Sequence, residues 1–520
     1  MGGGGAALFQ VTQAGQLLAA GGIGAAAGTV TAIAPVTTGS DSFVYTVVRQ
    51  TDQIMAWRQT APGTFTAIET LRHTPEGSGL DQLALTTAQA GGAHWLLAAS
   101  HVDHTLTSYR IEADGRLQIT ARLGADGGLG IAGPAHVEVI TFQGQTYAIL
   151  GATGTSSVSV VRIEADGALT VTDQVNDTLD TRFQGVTALQ VVETGGRVYV
   201  IAAGADDGLT VMTLLPGGRL AGLQTIAHQP GQDLMNPAAL TAQVVSPGII
   251  RLYSAEQGVA AFSGWTLNVD PAGGITQQAG AGGGALAGTA GDDVLIGGAG
   301  ADAITAGAGR DILIDGAGQD TLTGGPGADL FVFQPDGLLD RIQDFQPGVD
   351  RLDLSALTRN HSLDAIGFQT LSNGVRLTIG ADQIQIVTAN GQPLSRSDFR
   401  TSDLFDLWHI DVGVTAIARI LTGGGANDLL QGGVADDILT GEAGNDTLRG
   451  DMGDDVLNGG PGADLLDGGP GIDTADYTGS TGSLRVDLMF PHVNTNIALG
   501  DTFQSIENLI GSQGMDNLRG

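Results

Sequence analysis

The sequence contains no cysteine, so disulfides and thiolate metal sites are excluded. A chain without thiols tolerates an oxidising exterior and needs nothing from it. Lysine is absent too: all 22 basic residues are arginine. Aromatic residues make up 5% of the chain, too few to suggest a carbohydrate-stacking face. No apolar run approaches the ~18 residues that a membrane-spanning helix requires. The opening, Met1-Gly-Gly-Gly-Gly-Ala-Ala-Leu-Phe9, has neither a basic region nor a sustained apolar core. It does not read as a secretory signal peptide. The H-E-x-x-H pattern of a secreted metalloprotease, the G-x-S-x-G elbow and the phosphate-binding loop are all missing.

What the chain does have is glycine and aspartate. Glycine supplies 83 of 520 residues, a bias that calls for a search for repeats. The formal net charge of -33 argues against nucleic acid and anionic membrane as partners and suits multivalent cations. The acid is uneven. Residues 1–280 hold 14 Asp and 7 Glu, whereas 281–520 hold 32 Asp and 2 Glu. A merely solvated acidic surface would mix the two. Preference for the shorter carboxylate implies geometry, because Asp holds its oxygens close to the backbone of a tight turn.

From Gly288 the sequence reads in steps of nine: GTAGDDVLI, GGAGADAIT, AGAGRDILI, DGAGQDTLT and GGPGADLFV. The sixth place is always Asp, at Asp293, Asp302, Asp311, Asp320 and Asp329. The eighth is always apolar, at Leu295, Ile304, Leu313, Leu322 and Phe331. The pattern resumes at Gly423 as GGGANDLLQ, GGVADDILT, GEAGNDTLR, GDMGDDVLN, GGPGADLLD and GGPGIDTAD. Its aspartates are Asp428, Asp437, Asp446, Asp455, Asp464 and Asp473.

The nine-residue unit has a physical reading. Six residues of glycine-rich turn precede about three of strand, which spans roughly 10 Å. Each turn reverses the chain, so repeats n and n+2 stack on one side at the inter-strand spacing of about 4.8 Å. The eighth-place residue fills the coil. The sixth-place Asp faces the gap between stacked turns. Two carboxylates plus main-chain carbonyls give an oxygen cage of the kind Ca2+ takes. The expected pairs are Asp293–Asp311, Asp302–Asp320, Asp311–Asp329, Asp428–Asp446, Asp437–Asp455, Asp446–Asp464 and Asp455–Asp473. Without metal the carboxylates repel, so the array is expected to draw its folding energy from binding.

These segments resemble the RTX, or hemolysin-type, calcium-binding repeats, with consensus G-G-x-G-x-D-x-U-x, where U is a large apolar residue. The resemblance covers about 288–333 and 423–476. Ala426 and Ala435 depart from the fourth-place glycine, and Ala306, Asp315, Glu442 and Asp451 from the first or second. The opening turns of the second block are therefore expected to be its weakest. Between the blocks, Phe331-Val-Phe and Asp340-Arg-Ile-Gln-Asp344-Phe-Gln-Pro-Gly-Val-Asp350-Arg-Leu-Asp353 are similar to the segment after the repeats in serralysin-type secreted metalloproteases. Ile342, Phe345, Leu352 and Leu354 read as short capping strands. In that family aspartates of this segment can touch metal, which bears on Asp344, Asp350 and Asp353. Residues 401–420 read as a helix-like spacer with Leu404, Leu407, Ile410, Val414, Ile417 and Ile420 roughly on one face. Asp516 opens a further nonapeptide. The resemblance implies secretion and a type I secretion apparatus as partner.

The first half reads as short alternating strands with a recurring turn at Gly15, Gly63, Gly115, Gly167, Gly218 and Gly274. The spacings are 48, 52, 52, 51 and 56 residues. A period near 50 with about four strands per unit is the mark of a β-propeller, here similar to lactonase-like or YVTN-type propellers. The runner-up is an array of β-sandwiches. His101-Val-Asp103-His104 is the only close His pair. Read as a strand, it would put residues three apart on opposite sides, which is poor for metal. Asp206-Asp207 and His136 read as loop polar residues near blade ends.

The sequence thus predicts an all-β chain: a propeller-like domain over 1–280, a first parallel β-roll with capping strands over 281–400, a spacer over 401–422, and a second β-roll over 423–520. It predicts a secreted, non-enzymatic protein with Ca2+ as cofactor and an unknown ligand or protein at the propeller. Two alternatives stand beside it, a secreted hydrolase or lactonase acting in the propeller pocket, and a surface-layer or matrix protein.

Overall fold

The computed structural model describes residues 6–11, 17–23, 30–48, 53–62, 64–73, 83–228, 234–256, 262–270, 273–358, 361–410, 419–433, 435–451, 453–469 and 471–520. Its first half is a series of five antiparallel meanders, each built from consecutive strands. The second runs Leu83–Ala90, Ala93–Ser100, Thr105–Ile111 and Leu117–Leu123. The third runs Pro134–Phe142, Gln145–Ala152, Ser157–Ile163 and Leu169–Asn176. The fourth follows the same plan from Ala188 to Ala227, and the first occupies Val30–Arg72 with the hairpin Ala6–Val11/Leu17–Ile23 joined to its outer strand. The first strand of each meander lies against the first strand of the next. That is the inner-strand arrangement of propeller blades.

Strand periodicity explains why the sheets stack. In Gln145–Ala152 alternate side chains enter two different cores. Ala148, Leu150 and Ala152 pack towards the second sheet, Tyr147 and Ile149 towards the fourth. The pattern repeats one blade on, where Val198, Val200 and Ala202 face the third sheet and Tyr199, Ile201 and Ala203 the fifth. A strand apolar on both faces can only be satisfied between two layers. The recurrent Gly closes the third-to-fourth hairpin of its blade. Gly167 has φ +85°, and a Cβ there would lie 2.2 Å from the Trp95 ring of the preceding blade. Gly115 stands the same way against Phe43. Gly15 and Gly63 lie outside the described residues.

The sixth expected hairpin, at Gly274, is not one. Among the described residues the fifth sheet has three strands, Pro237–Ser246, Ile249–Glu256 and Phe262–Asn268. After Gly274 the chain leaves the propeller: Thr276–Gln278 pairs in parallel with Val294–Ile296. The reason is local. The Asp270 carboxylate accepts from the Gly274 N–H, and a Cβ on Gly274 would sit 1.8 Å from the Asp292 carbonyl. The glycine thus stacks on the first repeat turn.

The second half is two parallel coils. In the first, Val294–Ile296, Ile312–Ile314, Leu330–Val332 and Arg351–Asp353 form one wall. Ala285–Ala287, Ala303–Thr305, Thr321–Thr323 and Leu339–Phe345 begin the other, which Asp382–Thr388, Gly374–Ile379 and Gly367–Leu371 extend. Register advances by 18 residues per coil, as in Leu295↔Leu313↔Phe331. All eleven eighth-place residues are buried inside their coils, as are Ile342, Phe345, Leu352 and Leu354. The second coil repeats this, with Leu430, Leu448 and Leu466 on one wall and Leu421, Leu439, Leu457 and Ala475 on the other.

The spacer is not a helix along its length. Among its described residues only Thr401–Leu404 is helical, and Trp408–His409 adds an antiparallel strand to the edge of the third sheet. Pairing with a sheet edge outcompetes a helix here because buried polar groups hold the segment. Asp406 bonds Arg351 at 2.6 Å, and His409 bonds Asp173 at 2.8 Å. Leu404, Leu407 and Ile410 are buried, Ile420 is 77% exposed, and Val414 and Ile417 lie outside the described residues.

Candidate metal centre

The turns are where the chemistry sits. In each block the sixth-place aspartates form two ladders, on alternate turns, whose rungs are 18 residues apart. The backbone N–H of Asp293 donates to the carboxylate of Asp311 at 2.7 Å, that of Asp302 to Asp320 at 2.7 Å, and that of Asp311 to Asp329 at 3.0 Å. In the second block Asp428 donates to Asp446, Asp437 to Asp455, Asp446 to Asp464 and Asp455 to Asp473, all at 2.7–2.8 Å. All seven expected pairs are brought together, and none of the eleven aspartates is more than 3% exposed.

One oxygen of nine of these carboxylates accepts a backbone N–H: from the Asp one coil earlier in seven, from Gly298 in Asp302 and from Arg419 in Asp437. The other is buried without a hydrogen-bond partner: Oδ2 of Asp311, Asp320, Asp329, Asp437, Asp446, Asp455, Asp464 and Asp473, and Oδ1 of Asp302. A buried carboxylate oxygen without a donor carries a desolvation cost that some ligand must offset. Asp293 and Asp428, the first aspartates of the two blocks, differ. Asp293 is met by the Thr289 amide and hydroxyl and by the Ile275 amide. Asp428 is met by the Ser362 hydroxyl and the Gly424 amide.

The consensus glycines make room for these oxygens. A Cβ at first-place Gly432, Gly441, Gly450 or Gly459 would come within 2.1–2.4 Å of the Oδ2 of its own repeat's Asp. A Cβ at fourth-place Gly327 or Gly462 would lie 1.6 Å from the carbonyl of Gly309 or Gly444, one coil earlier. Turn carbonyls are therefore aimed at the turn stacked above. Ala426 and Ala435, the two fourth-place exceptions, belong to the opening turns of their block, where no earlier turn of the block lies beneath. Glu442 and Asp451 occupy second places in the left-handed region, with φ of +69° and +71°.

Among the described residues, no three His, Cys, Asp or Glu side chains converge as a metal group. Each gap has two carboxylates, and further ligands would be main-chain carbonyls. An all-oxygen donor set suits a hard cation such as Ca2+ and not Zn2+ or copper. The electrostatics agree. Burial, and behind it neighbouring carboxylates, pushes Asp311 up to about 7 and Asp329 and Asp455 up to about 8. Asp437, Asp446, Asp464 and Asp473 rise to about 6, again chiefly through burial. A divalent cation relieves that cost.

The ladders run past the regular repeats. Asp340 accepts from the Asp320 amide, Asp350 from Asp329, and Asp501 from Asp464, while Glu507 accepts from Asp473. Of the capping-segment aspartates, Asp350 is thus a rung. Asp344 accepts from the turn amides of Gly324 and Gly325, and Asp353 instead bonds Arg219 at 2.8 Å. The offsets of 20, 21, 37 and 34 residues hide the new rungs from a search at period nine. A subtler signal persists: Asp340-x-Ile342, Asp350-x-Leu352, Asp501-x-Phe503 and Glu507-x-Leu509 keep the sixth-to-eighth-place spacing after the glycines have gone.

The histidine pair is in a turn rather than a strand. His104 has φ +55° and accepts from the Gly133 amide, while Asp103 pairs with Arg122 at 2.6 Å. Asp206 accepts from Gln184 and Asp207 from Asn236, so both brace loops. His136 lies beside Glu138 in a cleft of about 570 Å3, which His101 also lines, between the first strands of the first three sheets.

Residues 422–457 and 440–475 match the family model of the RTX calcium-binding nonapeptide repeat, and residues 283–389 match that of the peptidase M10 serralysin C terminal. No curated protein matches the chain in sequence. Similar solved structures include a protein from Lactobacillus plantarum, 19% identical over 50% of this chain and 91% of its own, with a TM-score of 0.30. The periplasmic gluconolactonase PpgL of Pseudomonas aeruginosa is 14% identical over 50% of this chain and 76% of its own, with a TM-score of 0.37. An exo-β-1,3-galactanase of Phanerochaete chrysosporium is 11% identical over 48% and 59%, with a TM-score of 0.31. At these scores the likenesses assign no activity. The chain carries RTX calcium-binding nonapeptide repeats and a serralysin-type C-terminal segment, and the ion that such repeats bind is Ca2+.

Proposed function

We propose that this is a secreted, non-enzymatic protein whose β-rolls fold on extracellular Ca2+ and hold a propeller that presents a binding surface. The eleven sixth-place aspartates are the ligands, in the seven gaps between paired rungs, and the division of the chain is 1–280, 281–400, 401–422 and 423–520. Secretion and a type I apparatus are what the two family matches support. The observation that carries the reading is the set of buried carboxylate oxygens without a donor, one on each of nine of the eleven aspartates. The test is calorimetric titration of chelator-treated full-length protein with Ca2+, alongside Asp446→Asn and Asp455→Asn. Several ions should bind and each variant should lose some of them. Heat and stoichiometry indifferent to both substitutions would sink the assignment.

A second reading has its own observation. In the axial cleft, burial pushes the His136 imidazole below its ordinary value and the Glu138 carboxyl above its own. An acid and a base so displaced, in one cleft, suit hydrolysis of an ester or lactone. Turnover of such a substrate, abolished by Glu138→Gln, would favour this reading over the non-enzymatic one.

A further inference from the structure

The two rolls meet the propeller with different surfaces. A roll strand puts its eighth-place residue inside and the seventh and ninth outside. In the first block the odd repeats carry wholly apolar triplets: Val294-Leu-Ile296, Ile312-Leu-Ile314 and Leu330-Phe-Val332. Their outer residues, Val294, Ile296, Ile312, Ile314, Leu330 and Val332, are buried in one cluster with Leu215 and Ala221 of the fourth propeller sheet. The even repeats, Ala303-Ile-Thr305 and Thr321-Leu-Thr323, face away from it and are polar or small. Charged bonds rim the apolar seam. Arg310 clasps Asp292, which also bonds Arg197 through its carbonyl, while Arg219 reaches Asp353 and Arg351 reaches Asp406.

The corresponding wall of the second block is mixed: its seventh places are Leu429, Thr447 and Leu465, but no ninth place is apolar. Its ninth-place residues are Gln431, Arg449 and Asp467. It meets the third sheet through hydrogen bonds, with Arg449 donating to the Asp177 carbonyl at 2.6 Å and Asn176 to Asp451 at 3.1 Å. Such bonds replace equally good ones to water, so they contribute little net stability. Six buried aliphatic side chains are a different matter, since their burial scales with apolar area removed from water.

We infer that the propeller is a folding template for the first roll and not for the second, so that the two blocks respond to calcium at different concentrations. The propeller supplies the first block with an apolar wall that no ion need provide. The second has, beyond those hydrogen bonds, only its own coil and its metal gaps. This rests on the calcium-driven folding proposed above and departs from it in one respect: the first block holds its coil at calcium levels that leave the second unfolded.

The test is hydrogen exchange of the full chain, read by peptide mass spectrometry, in chelator and across a Ca2+ titration. Amides of 294–332 should stay protected in chelator, while those of 438–476 exchange freely and gain protection as Ca2+ rises. The double variant Ile312→Thr/Ile314→Thr keeps Leu313 inside the coil and spoils only the seam. It should lose first-block protection in chelator and regain it in saturating Ca2+, so that this block acquires a calcium midpoint it lacked, while the second block's midpoint is unchanged. Loss of both blocks together in chelator, with one shared midpoint, would overturn the template and leave calcium-driven folding standing. Protection of both blocks irrespective of Ca2+ would overturn both.

Discussion

Replacing Asp446 by alanine should weaken calcium-dependent stability twice as much as replacing Asp428. Asp446 stands between two stacked turns: its carboxylate accepts from the Asp428 amide, and its own amide donates to Asp464. It therefore borders two gaps. Asp428 is the end rung and borders one. Extracellular calcium modules bind with Kd on the order of 10⁻⁴ to 10⁻³ M. At about 10 mM Ca2+ each filled site then adds RT ln(1 + [Ca]/Kd), about 1.4 to 2.7 kcal/mol. Asp446→Ala should forfeit about 3 to 5 kcal/mol and two ions, Asp428→Ala about half as much and one ion. Each substitution also removes hydrogen bonds, but those are lost with or without metal. The informative quantity is the difference between unfolding in about 10 mM Ca2+ and unfolding in chelator, measured for both variants together with ion stoichiometry. Equal losses from the two variants, or losses undiminished in chelator, would refute the shared-rung geometry.

Other consequences follow from the same contacts. Gly462→Ala places a Cβ 1.6 Å from the Gly444 carbonyl and should raise the calcium midpoint seen by circular dichroism, whereas Ala435→Gly, in an opening turn, should shift it little. In chelator the sign of the pH effect is fixed by raised carboxylates. Asp311 at about 7 and Asp329 and Asp455 at about 8 bind protons more tightly folded than unfolded, so metal-free stability should be greatest below about pH 4 and fall as pH rises towards 8. A metal-free β-signal that strengthens from pH 5 to 8 would contradict this. Phe331→Ala removes a fully buried ring that packs on Phe345 at 6.3 Å between centroids, and should cost about 3 to 5 kcal/mol in thermal unfolding with calcium present. Arg219→Ala strands Asp353, whose carboxyl burial alone would push up but which Arg219 and His409 hold below the usual range. A loss of about 3 to 5 kcal/mol is expected from an uncompensated buried charge.

The rolls were legible because their physics is local and periodic. A nine-residue unit must place Gly where a Cβ would strike a carbonyl, Asp where the gap opens, and an apolar residue inside. Each requirement leaves a mark at a fixed spacing, and the seven rung pairs follow from spacing alone. The propeller was legible for a related reason: its hairpin glycines sit under an aromatic of the previous blade, as Gly167 sits under Trp95. Gly274 carries the same residue type for a different neighbour, the Asp292 carbonyl. A single glycine does not say which neighbour forbids its side chain.

What stayed hidden depends on partners distant in sequence. The apolar run from Leu404 to Ile420 fits a helical face, yet the strand at Trp408–His409 exists because Asp173, some 236 residues earlier, waits for His409. Glu507 joins the ladder through the Asp473 amide after a detour of 34 residues. The seam between propeller and first roll lies between these extremes. Its partner face, Leu215 and Ala221, leaves no periodic trace, but its own half does, since every second repeat of the first block is apolar at all three strand positions. A strand in a solvated roll needs only its middle residue to be apolar. Apolar residues at both the seventh and the ninth place of alternate repeats therefore mark a wall covered from outside, and the polar ninth places Gln431, Arg449 and Asp467 mark one that depends on its ions.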